Sequence, residues 1–132
     1  DSDDISTHCK NLGCEVIRRP TSLGGETPII EVYRDALNKI KDNELVEILV
    51  GVQPDHPDRD INVDDAIDIF KKNNADRLLS TEADGTKNGA HYILSKSYLT
   101  KGISANDHII IDDCTNVHYE SDLVKASLRL KS

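Results

Sequence analysis

Apolar residues recur at helical spacing in four stretches of the chain and crowd together, almost without interruption, in a fifth. Behind the acidic opening DSDD, the positions Ile5, Cys9 and Leu12 predict a short first helix, and Gly13 stands where a left-handed cap is common. Thr27 and Pro28 offer an N-cap and a first helical residue for a second helix. Its stripe is Ile29, Val32, Tyr33, Ala36, Leu37 and Ile40, with Lys39 and Lys41 at the favourable carboxyl-terminal end. Val63, Ala66, Ile67 and Phe70 predict a third helix behind an acidic first turn. Leu123, Val124, Ala126, Ser127 and Leu130 give ESDLVKASLRLK an inward face.

The fifth stretch, Leu45 to Val52, is apolar at nearly every position, which suits a strand covered on both faces. CEVIRR, ended by Pro20, reads as another strand, and DRLLST, HYIL and HIIID follow as short ones. TSLGGE and EADGTKNG have loop chemistry, and SYLTKG reads as a helical turn. Strands alternating with helices predict βαβ units, hence an open, mainly parallel α/β sheet in a single domain over residues 1–132. Ligands of such sheets bind beyond the carboxyl ends of the strands, so the loop Val52 to Asp60, VQPDHPDRD, falls where a site is expected.

Composition narrows the partners. The 24 acidic against 16 basic residues leave a net charge of -8, and without a basic stripe this argues against nucleic acid. No apolar run approaches the ~20 residues that span a bilayer, so no membrane partner is expected. Cys9, Cys14 and Cys114 lack paired metal-ligand spacing and read as reduced structural thiols of a cytoplasmic protein. The chain has no Met and opens on DSDD, as though something upstream were missing.

Single residues have ordinary readings beside chemical ones. His56 in a polar loop reads as solvated, His91 as a strand residue without a catalytic role, and Arg59 as an ion-pair partner of Asp58 or Asp60. Asp64 and Asp65 suit the start of a helix. Asp112 and Asp113 fit either a metal pair or a turn.

Five segments, in order, carry a resemblance. The opening through RRPTSLGGETPIIEVYRDAL, then VQPDHPDR, NNADRLLS, NGAHYIL and YESDLVKA resemble the cytidylyltransferases that activate acidic sugars, above all the acylneuraminate (CMP-sialic acid) synthetases. The resemblance implies a Rossmann-like three-layer nucleotidyltransferase sheet, here without its first strand and phosphate loop. It implies transfer of CMP from CTP to a sialic-acid-like sugar acid with release of pyrophosphate, with Mg2+ as cofactor and a homodimer as the assembly. Gln53, Arg59, Asn88 and Gly89 fall at substrate-binding and loop-bracing positions, and Arg19 on the nucleotide side. Asp55 falls at a metal-binding position of the related CMP-Kdo synthetases, while the family's closing metal aspartates fall at Asn116 and His118. Magnesium prefers hard, anionic oxygens, so the last two replacements leave open an alternative, a catalytically inactive binding or assembly module of the same fold.

Overall fold

The computed structural model describes residues 2–104 and 106–132. The chain divides into two compact units, residues 1–46 and 47–132.

In the first unit, α1 (Asp3–Asn11) is capped at its start by Ser2, whose hydroxyl accepts from the Ile5 amide at 3.1 Å. It ends where Gly13 takes φ +86°, a left-handed conformation open to glycine at little cost. CEVIRR is not a strand: residues 14–20 carry irregular backbone up to a 3-10 turn at Thr21–Leu23. Apolar alternation alone could not make a strand there, because a strand exists only through its ladder partners. The second helix, α2 (Ile29–Lys39), starts one residue later than Thr27 and Pro28 suggested. Pro28 is the N-cap, and the Thr27 hydroxyl donates instead to the Gly24 carbonyl at 2.9 Å.

The second unit holds a four-stranded sheet of β1 (Ile48–Gly51), β2 (Arg77–Thr81), β3 (Lys87–Ser95) and β4 (Asp107–Ile111), in the order β1-β3-β2-β4. The expectation of a mainly parallel sheet is overturned. Only β2 and β4 form a parallel pair, whereas β3 is antiparallel to both β1 and β2. Five residues join β2 to β3, and a parallel connection needs a dozen or more, so the chain must turn back as a hairpin. Because β3 alone is reversed, β1, β2 and β4 still run the same way, and their carboxyl ends open onto one side.

Helix α3 (Val63–Lys72) joins β1 to β2 and covers one sheet face. Its Ala66 and Phe70 close a core with Ala75, Leu78, Ile93 and Ile110, and Ile48, Val50 and Ile67 pack around them. Asn62 caps α3 by accepting from the Asp65 amide at 2.8 Å, with Asp64 and Asp65 in the first turn as expected. Helix α4 (Lys96–Lys101) follows β3 directly and buries Tyr98 and Leu99. The closing helix α5 (Glu120–Lys131) buries Ala126 and is held at its start by Asp122, which accepts from the amides of His118 and Tyr119 at 3.0 Å each. No helix among the described residues is long and apolar enough to cross a membrane.

Candidate functional site

The loop behind β1 is fixed by its own arginine. Arg59 donates through Nε to the Ala90 carbonyl at 2.8 Å, through Nη2 to the Gln53 carbonyl at 2.6 Å, and through Nη1 to the His56 carbonyl. One guanidinium thus ties the start of the loop, its middle and β3 together, a task for which a rigid fork of donors is suited. The expected ion pair of Arg59 with Asp58 or Asp60 does not form among the described residues. That role belongs to Arg129 of α5, whose Nη1 lies 2.9 Å from Asp58 and whose Nη2 lies 2.6 Å from Asp60.

The loop also runs antiparallel to the segment after β4. The amides of Asp60 and Ile61 donate to the two oxygens of Asp112 at 3.0 Å each, Asp58 accepts from the amide and hydroxyl of Thr115 at 2.9 and 2.8 Å, and the Val117 amide donates to the Asp55 carbonyl at 2.8 Å. Two buried carboxylates therefore hold a loop that sequence alone made look exposed. Burial would raise the Asp112 carboxyl, but the Asp60 and Ile61 amides, the His91 ring and the Cys114 thiol outweigh it and hold its pKa below the ordinary value. Asp58 is likewise held low, the Thr115 donors and Arg129 prevailing over burial. The Cys114 thiol goes the other way, pushed up to about 12 by burial and by the Asp112 charge.

Asp112 and Asp113 are thereby separated as a metal pair. Asp112 is fully buried with its oxygens occupied, the His91 Nε2 at 2.8 Å among its partners, while Asp113 is exposed. His91 lies in β3, a strand residue as expected, with its ring turned into this cluster.

The residues that the resemblance marks for the substrate meet around an irregularity in β3. Between Lys87 and Tyr92, β3 has four residues where β2 has only Ser80 between Leu79 and Thr81, so the Asn88–Ala90 stretch bulges from the ladder. Ser80 fills the gap, its hydroxyl donating to Asn88 Oδ1 at 2.7 Å and accepting from the His91 amide at 2.8 Å. Asn88 Nδ2 in turn donates to the Asp112 carbonyl at 2.6 Å. Gly89 has φ +74°, and a Cβ there would stand 3.0 Å from Gln53 Oε1, so the Gln53 side chain lies directly over the glycine backbone. Gln53, Asn88, Gly89 and Arg59 are accordingly neighbours.

Asp55 and His56 contain the feature that sequence reasoning missed. His56 is only 1% exposed, not solvated as expected. Its Nδ1 lies 2.8 Å from Asp55 Oδ1, within hydrogen-bond reach of that carboxylate. Nε2 is buried and meets no hydrogen-bond partner among the described residues, and the same holds for Asn116 Oδ1. The preceding aspartate and flanking prolines were visible in the sequence, but the loop that carries His56 is held by the segment 112–117, more than fifty residues away.

Arg19 belongs to the first unit, where it lines a cleft with Arg18, Pro20 and Thr21. His118 is exposed at the start of α5. The side chains at the metal positions do not amount to a magnesium centre. Asp55 offers one carboxylate, with one oxygen on His56, Asn116 offers an amide oxygen and His118 an imidazole. Among the described residues no three His, Cys, Asp or Glu side chains gather as metal ligands. Neither a family model nor a curated protein matches the chain.

Proposed function

We propose that the chain acts in a nucleotidyltransferase that transfers CMP from CTP to the anomeric hydroxyl of a sialic-acid-like sugar acid and releases pyrophosphate. One observation carries the reading. Two segments that resemble the acidic-sugar cytidylyltransferases, QPDHPDR and NGAHYIL, meet beside the carboxyl ends of β1, β2 and β4, where open α/β sheets bind ligands, and the backbone just before YESDLVKA runs along the first of them. The resemblance supplies the chemistry, and the convergence makes a shared site physically coherent.

In this reading the sugar acid lies against Gln53 and the Asn88–Gly89 bulge. The Gln53 amide can both donate and accept, as a polyol demands, and Gly89 lets the backbone approach closely. Arg59 acts through the loop, with three of its five N–H donors committed to carbonyls. The anomeric hydroxyl attacks the α-phosphorus of CTP in line, the bond to pyrophosphate breaks, and the hydroxyl proton passes to solvent. Holding the two reactants in that alignment is the main task asked of the protein. Arg19 on the nucleotide side, a Rossmann-like nucleotidyltransferase sheet, a cytoplasmic location and a homodimer belong to the same reading.

The test is pyrophosphate release with CTP, magnesium and a panel of 2-keto sugar acids. Release that depends on both the sugar acid and Gln53 supports the reading, and silence with every acid, from protein produced in its natural reading frame, overturns it. A second reading, a binding module of the same fold without transfer, has the donor set behind it, since Asn116 and His118 stand where carboxylates would serve a magnesium ion. Saturable sugar-acid binding without pyrophosphate release or magnesium-dependent CTP binding would select it.

A further inference from the structure

The end of α1 brings two thiols together. The Cys14 amide donates to the Cys9 carbonyl at 3.0 Å and the Gly13 amide to the Lys10 carbonyl at 3.0 Å, while Gly13 takes φ +86°. This is a Schellman cap, in which the side chains at the positions of Cys9 and Cys14 commonly touch. A 3.0 Å bond between the two backbones, with the covalent lengths on either side, keeps the two Cα atoms within about 7 Å. Disulfides span Cα separations of about 4.4–6.8 Å. Both side chains also line one cleft beside Ser2, Ser6 and Glu15. Cys14 is exposed, Cys9 is half-buried, and both are free thiols.

We propose that Cys9 and Cys14 form a thiol–disulfide redox site that reacts with small disulfides of the glutathione class. The Cys14 thiolate attacks one sulfur of the oxidant and expels a thiolate, leaving a mixed disulfide on Cys14. The Cys9 thiolate then attacks the Cys14 sulfur, forming the Cys9–Cys14 bond and expelling the second thiolate. The protein loses two electrons and two protons, and the oxidant becomes two thiols. The linkage covalently closes the α1 cap, so the redox state of the surroundings is written into the end of this helix. Cys114 takes no part: it is buried and its thiol donates to Asp112.

The experiment exposes the full chain to oxidised glutathione, with and without urea, and follows intact mass, alkylation and tryptic peptides. Trypsin cuts after Lys10, between the two cysteines, so the disulfide appears as a linked pair of peptides that reduction separates. The linked pair is expected as the main product, formed about tenfold or more faster in the folded chain than in urea, the gain from holding reacting groups in place. Gly13→Ala, which strains the left-handed cap, is expected to slow it, and Cys9→Ser is expected to stop at the Cys14–glutathione mixed disulfide. Independent glutathione adducts on Cys9 and Cys14 without a linked pair, or linkage no faster in the folded chain than in urea, would overturn the proposal.

Discussion

Replacing Asp112 by Asn tests the architecture of the site most severely. The carboxylate accepts the amides of Asp60 and Ile61 at 3.0 Å each and faces the His91 Nε2 at 2.8 Å and the Cys114 thiol, with no exposure to water. An asparagine has one oxygen, so in either orientation its NH2 faces a backbone N–H. One buried donor left without an acceptor costs about 1–3 kcal/mol, and a bond reduced from charged to neutral about 1 kcal/mol more. The variant should lose about 3 kcal/mol, which at a urea slope of ~1–3 kcal/mol/M moves the midpoint by roughly 1–3 M. Urea unfolding by circular dichroism measures this, with amide exchange of β2 and β3 identifying the step that belongs to the sheet. The sign of the pH dependence is fixed as well. The folded carboxyl lies below its unfolded value of about 3.9, so the unfolded state binds more protons at acid pH. The stabilisation is complete well above that value and fades as pH falls through the lowered folded pKa, and the gap between wild type and variant should shrink with it. A variant within about 0.5 kcal/mol of wild type, the range of an ordinary surface change, would refute the reasoning. So would a gap that stays constant from neutral to strongly acid pH.

Arg59→Lys should loosen the loop, because an ammonium point charge cannot hold three separated carbonyls, and faster amide exchange over residues 53–61 would show it. Gly89→Ala should cost about 1–2 kcal/mol from the left-handed backbone alone, plus the clash with Gln53. Adding Gln53→Ala should relieve the clash and leave the backbone cost, which a double-mutant cycle in urea resolves. Arg129→Ala leaves the buried Asp58 carboxylate short of its cation. It should destabilise the chain by about 3 kcal/mol near neutral pH, less in acid, where the carboxylate is protonated and no longer needs its partner.

Most helices were legible in the sequence because their signals are local. The spacing of Ile5, Cys9 and Leu12 with Gly13 behind them gave α1 and its cap, and Val63, Ala66, Ile67 and Phe70 gave α3 with its buried face. Strands depend on partners, and there the reading was weaker. Even the nine residues between DRLLST and HYIL are too few for a parallel crossover, but the alternation of strands and helices elsewhere pointed to parallel pairing. CEVIRR has strand composition and takes irregular backbone. At the site, Gln53, Asn88 and Gly89 were marked by motif and prove to be neighbours. What joins the loop to the segment 112–117 was not readable, because Asp112, Thr115 and Arg129 lie fifty to seventy residues from their partners. His56 shows the same limit, since a histidine between prolines in a charged loop looks exposed in the sequence and is buried in the fold.

A calorimetric titration of the protein with sialic acid and related 2-keto sugar acids, repeated on Gln53→Ala, tests the functional reading most directly. The account predicts one saturable site for at least one acid and a loss of affinity of about tenfold on removing the Gln53 amide, as expected for one or two polar contacts. Heat indistinguishable from dilution at millimolar sugar acid, or binding that Gln53→Ala leaves unchanged, would contradict it.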